Sequence, residues 1–208
     1  GSAPMVSETD TIYALATPPG KSAIGVIRIS GKRAADVPGS FFAKCPKPGR
    51  FSLQTLVDGS GEVIDQVLLL FMAAPQSSTG EDVVEIHCHG GVAVIQTLLA
   101  SLAGMAGLRP AVAGEFTHRM FHNGKTDLLG VESLADIIEA DTGRQLEQAW
   151  SQMRGALRNP VTRWRQAIIK ISAELEAVID FPEDDLGNDQ KIQVIQNLFM
   201  QLQKNVTK

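Results

Sequence analysis

The stretch GEDVVEIHCHGG at positions 80–91 sets a carboxylate, Glu85, two imidazoles, His87 and His89, and a thiol, Cys88, within five residues of one another. Such a set is a metal site, a catalytic cluster, or a group of polar residues that only looks like either. On a strand, alternate side chains share a face, so Glu85, His87 and His89 would line one side while Val84, Ile86 and Cys88 line the other. Two imidazoles and a carboxylate resemble part of an iron or zinc site, but a strand of this kind needs further ligands, and only His118 and His122 are available elsewhere. The plainer reading makes His87 and His89 partly buried, hydrogen-bonded residues at a strand end, with Gly90-Gly91 turning the chain into a helix.

Two cations stand out. Arg28 lies inside the apolar run VIRI, where it is either an edge residue or structural ion pair, or a clamp for a carboxylate or other acceptor. Lys125, in HNGK, falls where the character of the chain changes; by itself a loop lysine is usually solvated. PPGKS at 18–22 ends like a phosphate-binding loop. The position five before Gly20 holds Leu15 instead of glycine, and two prolines remove N–H donors that would cradle phosphates, so nucleotide hydrolysis by that route is not expected.

The elements that must position these residues are of two kinds. TIYALAT at 11–17, AIGVIRI at 23–29, QVLLLFM at 66–72 and DVVEIHC at 82–88 are strand-length, apolar and bounded by Gly, Pro or Ser, and are expected to form one sheet. Val92 to Ala103 has helical spacing after the Gly-Gly turn, and a shorter helix disturbed by Pro38 follows Gly31. From about Thr126 the chain reads as all-α. One helix is expected from about Asp127 to Arg158, carrying Leu134, Ile137, Ile138 and Trp150, with Gly143 as a weak point. A second starts at Asn159 as N-cap with Pro160 after it and a stripe of Trp164, Ile168, Ile171, Leu175 and Val178. Phe181-Pro182-Glu183-Asp184-Asp185 stops it, and a last helix from about Asp189 carries Ile192, Ile195, Leu198, Phe199 and Leu202.

Composition narrows the classes. The 208 residues, 44 % hydrophobic, suffice for a real core in one domain or two small ones. A net charge of −4 argues against binding nucleic acid by overall charge. No apolar run approaches the roughly 18–20 residues of a membrane span, and no signal peptide is recognisable at the start. Two cysteines, Cys45 and Cys88, match neither a disulfide framework nor a paired zinc signature and suggest a reducing compartment. Gly1-Ser2-Ala3-Pro4-Met5 reads as an expression remnant.

DTIYALATPPGKSAIGVIRISG, STGEDVVEIHCHGG, GLRPAVAGEFTHRMFHNGKTDL, ESLADIIEADT and AVIDFPEDD, in this order from about Asp10 to about Asp185, carry a resemblance. The chain resembles the N-terminal part of the MnmE (TrmE) family of tRNA modification GTPases. The resemblance implies an α+β fold: an N-terminal mixed-sheet domain over residues 6–124, similar to folate-binding aminomethyltransferase domains, that binds tetrahydrofolate and dimerises. The first part of a helical domain would follow over 125–208, ending before the GTPase domain that the family inserts there. The family's C-terminal cysteine motif would also be absent.

For function, the resemblance implies 5-formyl-tetrahydrofolate or a related reduced folate as ligand, with Arg28, Glu85 and Lys125 at the matching folate-binding positions. A pterin presents an amino group and a ring N–H side by side, an edge that one carboxylate accepts in bidentate fashion, as Glu85 could; Arg28 and Lys125 then meet carbonyl or glutamate-tail oxygens. His89-Gly90-Gly91 belongs to the family's turn, and other polar residues serve at the position of His87. Lys21-Ser22-Ala23, Ser78 and Met120 depart from the usual pattern and bear on the pocket's shape. The full-length protein is expected to be a GTP hydrolase using GTP, magnesium and potassium. It would act with an FAD-dependent partner of the MnmG (GidA) type on the C5 position of the tRNA wobble uridine. It would work in the bacterial cytoplasm, or in an organelle of a eukaryote, away from membranes. This chain would retain folate binding and homodimerisation, with no catalytic residue and no metal. The alternatives are a folate-dependent aminomethyltransferase-like domain and a dimerisation module without an active folate site.

Overall fold

Successive side chains of a strand point to opposite faces of a sheet, and the strand-length apolar runs bounded by Gly, Pro or Ser supply its strand segments. In a computed structural model describing residues 10–42, 46–58, 60–156, 158–180 and 185–206, they form β1 (Thr11–Leu15), β2 (Gly25–Ser30), β4 (Val63–Met72) and β5 (Val83–Cys88). Two more strands, β3 (Phe51–Val57) and β6 (Leu108–Pro110), were not expected from the sequence. All six make one sheet in the order β3-β4-β5-β2-β1-β6, antiparallel except for the parallel β1–β6 pair. A mixed sheet followed by helices is the expected α+β arrangement. Gly1 to Met5, Cys45 and the Phe181-Pro182-Glu183-Asp184 turn lie outside the described residues.

One sheet face is the core. Ile27 and Ile29 of β2, Val67 and Leu69 of β4, and Val84 and Ile86 of β5 are buried against Ile95, Leu98 and Leu102 of helix α2 (Val92–Ala103). Each fully buried aliphatic side chain contributes about 1.5–3 kcal/mol. Between β2 and β3, a 3-10 turn at Ala34–Asp36 and the short α1 (Pro38–Phe41) add Val37, Phe41 and Phe42. Pro38 opens α1 at its first turn, where a missing N–H costs nothing, so the proline divides the segment by starting a helix. Alternation leaves Arg28, Glu85 and His87 on the opposite face. Helix α3 (Glu115–His122) follows β6.

The chain divides into two units, Gly1–Leu128 and Leu129–Lys208. The helices of the second depart from expectation in three respects. In place of one helix from Asp127 to Arg158 there are two, α4 (Leu128–Glu139) and α5 (Gly143–Met153). Thr142 starts α5 as its N-cap: its hydroxyl accepts from the Gln145 N–H while the Gln145 side chain accepts from the Thr142 N–H. This reciprocal cap makes the site near Gly143 a true helix start. Helix α6 (Arg158–Asp180) begins before Asn159, whose N–H already bonds the Gly155 carbonyl at 2.9 Å, so Asn159 is not the cap. Pro160 still sits in the first turn.

Helix α7 (Asp185–Val206) lies against α6 and starts earlier than Asp189. Of the two predicted stripes, Ile171 and Ile195 are buried, while Ile168, Leu175, Ile192 and Phe199 are exposed; the Val178 side chain lies outside the described ones. On α4 and α5, Ile138 and Trp150 are also exposed. Among the described residues no helix is long and apolar enough to cross a membrane.

Candidate functional site

Register creates the centre of the site. In the antiparallel β2–β5 pair Arg28 lies directly opposite Glu85, and directly opposed residues on one face of a sheet are within reach of each other. Arg28 Nε donates to Glu85 Oε1 at 2.8 Å. The pair is half-sheltered, with side-chain exposures of 34 % and 13 %, so it is neither a screened surface pair nor a fully dehydrated one. The guanidinium also lies over the Phe116 ring of α3, 5.8 Å from its centroid. The second oxygen of Glu85 faces His87 Nε2 at 3.0 Å.

His89 does not join that row. Strand β5 ends at Cys88, and His89 binds Asp65 instead, through its backbone N–H at 2.8 Å and Nδ1 at 2.6 Å. The strand-face expectation therefore holds for Glu85 and His87 and fails for His89, because the next two residues are glycines that leave the sheet. Among the described residues no three His, Cys, Asp or Glu side chains meet in a way that could hold a metal ion. Cys88 is buried on the core face, its thiol donating to the Gly25 carbonyl at 3.4 Å.

Lys125 is anchored elsewhere. Its Nζ donates to the Pro75 carbonyl at 2.8 Å, in the loop between β4 and β5. The same loop meets the end of α3 through Asn123, whose amide donates to the Thr79 carbonyl at 2.7 Å. Gly80 makes that approach possible: a methyl there would stand 3.0 Å from Asn123 Cβ and 3.3 Å from the Lys125 stem, at a φ of +79° that only glycine adopts readily. The structure thus joins Arg28 to Glu85 directly and ties Lys125 to the loop that leads into the strand of Glu85.

A charged cluster that sequence reading missed supports both. Glu115, fully buried, accepts from Arg109 through Nη1 at 2.9 Å and Nη2 at 2.7 Å, from Arg119 at 3.2 Å and from the Val112 N–H at 2.9 Å. Burial alone would push its carboxyl up; these donors outweigh it and hold the group down at about 2. Arg119 continues to Glu81 at 3.0 Å, and Glu81 to Ser30 at 2.7 Å, so α3, the loop before β5 and the end of β2 are locked together. The signal was the i,i+4 spacing of Glu115 and Arg119, which foretells a pair but not its burial. Beside the cluster is a cavity of about 370 Å³ lined by Lys32, Ala74, Glu81, Asp82, His118, Arg119, His122 and Asn123. None of Arg28, Glu85 and Lys125 lines it.

The PPGKS loop serves the structure, since the Ser22 N–H donates to the Gly90 carbonyl at 3.1 Å. It packs on the glycine turn that follows the His-Cys-His run.

Residues 11–125 match the family model described as the GTP-binding protein TrmE N-terminus, and residues 128–208 match the MnmE helical domain. Curated relatives named tRNA modification GTPase MnmE include those of Caulobacter vibrioides, 47 % identical over 181 residues, and Phenylobacterium zucineum, 44 % identical over 181 residues. A third, from Paramagnetospirillum magneticum, is 46 % identical over 179 residues. The matches cover 87 %, 87 % and 86 % of this chain and 40 % of each relative, so the chain spans about 40 % of the length of the curated relatives it matches.

Proposed function

We propose a function on one premise: the chain belongs to the MnmE (TrmE) family of tRNA modification GTPases. Its first unit binds a reduced folate, 5-formyl-tetrahydrofolate or a related one-carbon donor, at Arg28, Glu85 and Lys125, and pairs with a second copy of itself. In the whole protein this unit serves modification of the wobble uridine of tRNA at C5, together with an FAD-dependent partner of the MnmG type. GTP, magnesium and potassium would be used by the whole protein, at sites other than the three residues named here. Work on tRNA puts the protein in the bacterial cytoplasm, or in an organelle of a eukaryote.

The observation that carries the folate reading is the Arg28–Glu85 pair on the sheet face away from the core. Its donor set suits the ligand. Glu85 has about four acceptor sites and uses one on each oxygen, which leaves two for the paired donors of a pterin edge. Arg28 spends only Nε on Glu85, so its terminal nitrogens can meet ligand oxygens, and Lys125 spends one of its donors on Pro75. Dimerisation is supported by the edge strand β3, whose Phe51 and Leu53 are exposed beside exposed Leu68 of β4 on the face that carries His87.

Calorimetric titration with 5-formyl-tetrahydrofolate tests the reading. The parent should bind saturably, and Glu85→Ala should lose about 3 kcal/mol, on the order of a hundredfold, as two charge-assisted hydrogen bonds are removed. Equal binding by folded Glu85→Ala would overturn the site. A folded, dimeric parent that binds no folate would favour the second reading, an assembly module alone.

A further inference from the structure

Glu85 is held at both oxygens, by Arg28 Nε at 2.8 Å on Oε1 and by His87 Nε2 at 3.0 Å on Oε2. The second contact has a chemical condition. An ionised carboxylate can only accept, so this bond exists only when Nε2 carries a proton, as it does in one neutral tautomer and in the charged ring. The ring is itself constrained. Phe51 of β3 meets it edge-on, with centroids 5.6 Å apart and planes at 87°, while Val26 of β2 and Leu68 of β4 are its cross-strand neighbours. The charged groups it faces are therefore Glu85 beside it and Arg28 across that carboxylate.

We infer that His87 is a positioning residue: with Arg28 it fixes the plane of the Glu85 carboxylate so that one acceptor site on each oxygen faces a ligand edge carrying two adjacent donors. The inference rests on the folate reading and adds a residue to it. The terminal torsion of a glutamate is broad, so a carboxylate tethered at one oxygen alone samples many planes, and a ligand must then order it on binding. Arg28 supplies one tether from β2 and His87 the other from the same strand as Glu85. Phe51 keeps the imidazole from turning its proton elsewhere, which links Glu85 through His87 to the exposed edge strand.

Two substitutions separate donor from bulk. His87→Gln keeps a side-chain N–H donor; His87→Phe fills the same space without one. Titrated with 5-formyl-tetrahydrofolate, His87→Phe should bind about tenfold more weakly than the parent, and His87→Gln within about twofold of it, with unchanged thermal stability in both. Phenylalanine binding as tightly as histidine, or glutamine failing to rescue, overturns the inference. A readout without ligand keeps the two readings apart. The Nε2–H proton of His87 should give a resolved resonance in nitrogen-edited NMR spectra of the parent and vanish in Glu85→Ala. A parent that shows this Glu85-dependent proton yet binds no folate overturns the folate reading and leaves the positioning of Glu85 standing; a parent without it overturns the positioning.

Discussion

Ser22 and Gly90 approach so closely that no side chain fits at position 90: a methyl there would lie 2.0 Å from Ser22 Oγ and 2.6 Å from the Ser22 carbonyl oxygen. The hydroxyl could rotate away, but the carbonyl belongs to the loop backbone and cannot. Gly90→Ala should cost about 1–3 kcal/mol through overpacking, seen as a lower midpoint in urea unfolding with an unchanged slope. Unaltered stability would mean that the PPGKS loop is not packed on the turn.

The buried Glu115 should be the most sensitive of the charged residues. Glu115→Gln leaves Arg119 buried without its full counter-charge and should cost about 3 kcal/mol in denaturant unfolding.

The same residue has a pH signature. Its folded-state value, about 2, lies below the ordinary 4.5, so its contribution is complete above about 4.5 and is lost as the pH falls from there towards 2. Stability of the parent should fall through that window more steeply than stability of Glu115→Gln. Parallel profiles would show that Glu115 is not ionised within the cluster.

Cys88 should be inert in the native state. Burial, helped by the negative charge of Asp65, pushes its thiol up to about 11, so at pH 8 it is un-ionised as well as shielded. Peptide mapping after iodoacetamide at pH 8 should find Cys88 unmodified in native protein and alkylated in urea; rapid native labelling would refute its burial.

In the second unit, Thr142→Ala removes the hydroxyl that accepts the Gln145 N–H and should destabilise α5 by about 1 kcal/mol, measurable as loss of helical circular dichroism at lower denaturant. Thr142→Ser keeps the acceptor and should recover most of that.

Much of the fold was legible because its signals are local. Strand-length apolar runs bounded by Gly, Pro or Ser announced β1, β2, β4 and β5, and helical spacing after Gly90-Gly91 announced α2 with the bounds it has. Two strands escaped. β6 is three residues long and ends in Pro110, too short for a pattern, while β3 alternates but turns Phe51 and Leu53 to the exposed face. The break between α4 and α5 was readable in Thr-Gly-Arg-Gln, a cap with its reciprocal partner three residues on, but the apolar spacing on either side ran through it.

By itself, the sequence determined that a mixed sheet precedes helices, that the chain belongs with the MnmE family, and that Arg28, Glu85 and Lys125 were the side chains to watch. Only the tertiary structure decided who meets whom. Arg28 and Glu85 are 57 residues apart, and their contact depends on β2 and β5 being neighbours in one register; a slip of one residue would send one of them to the core face. The same long-range choice put His87 on Glu85, sent His89 to Asp65, tied Lys125 to Pro75 and buried Glu115 between two arginines. Periodicity along a chain reports which face a side chain takes, whereas its partner is set by sheet order and packing, which couple residues that local sequence does not connect.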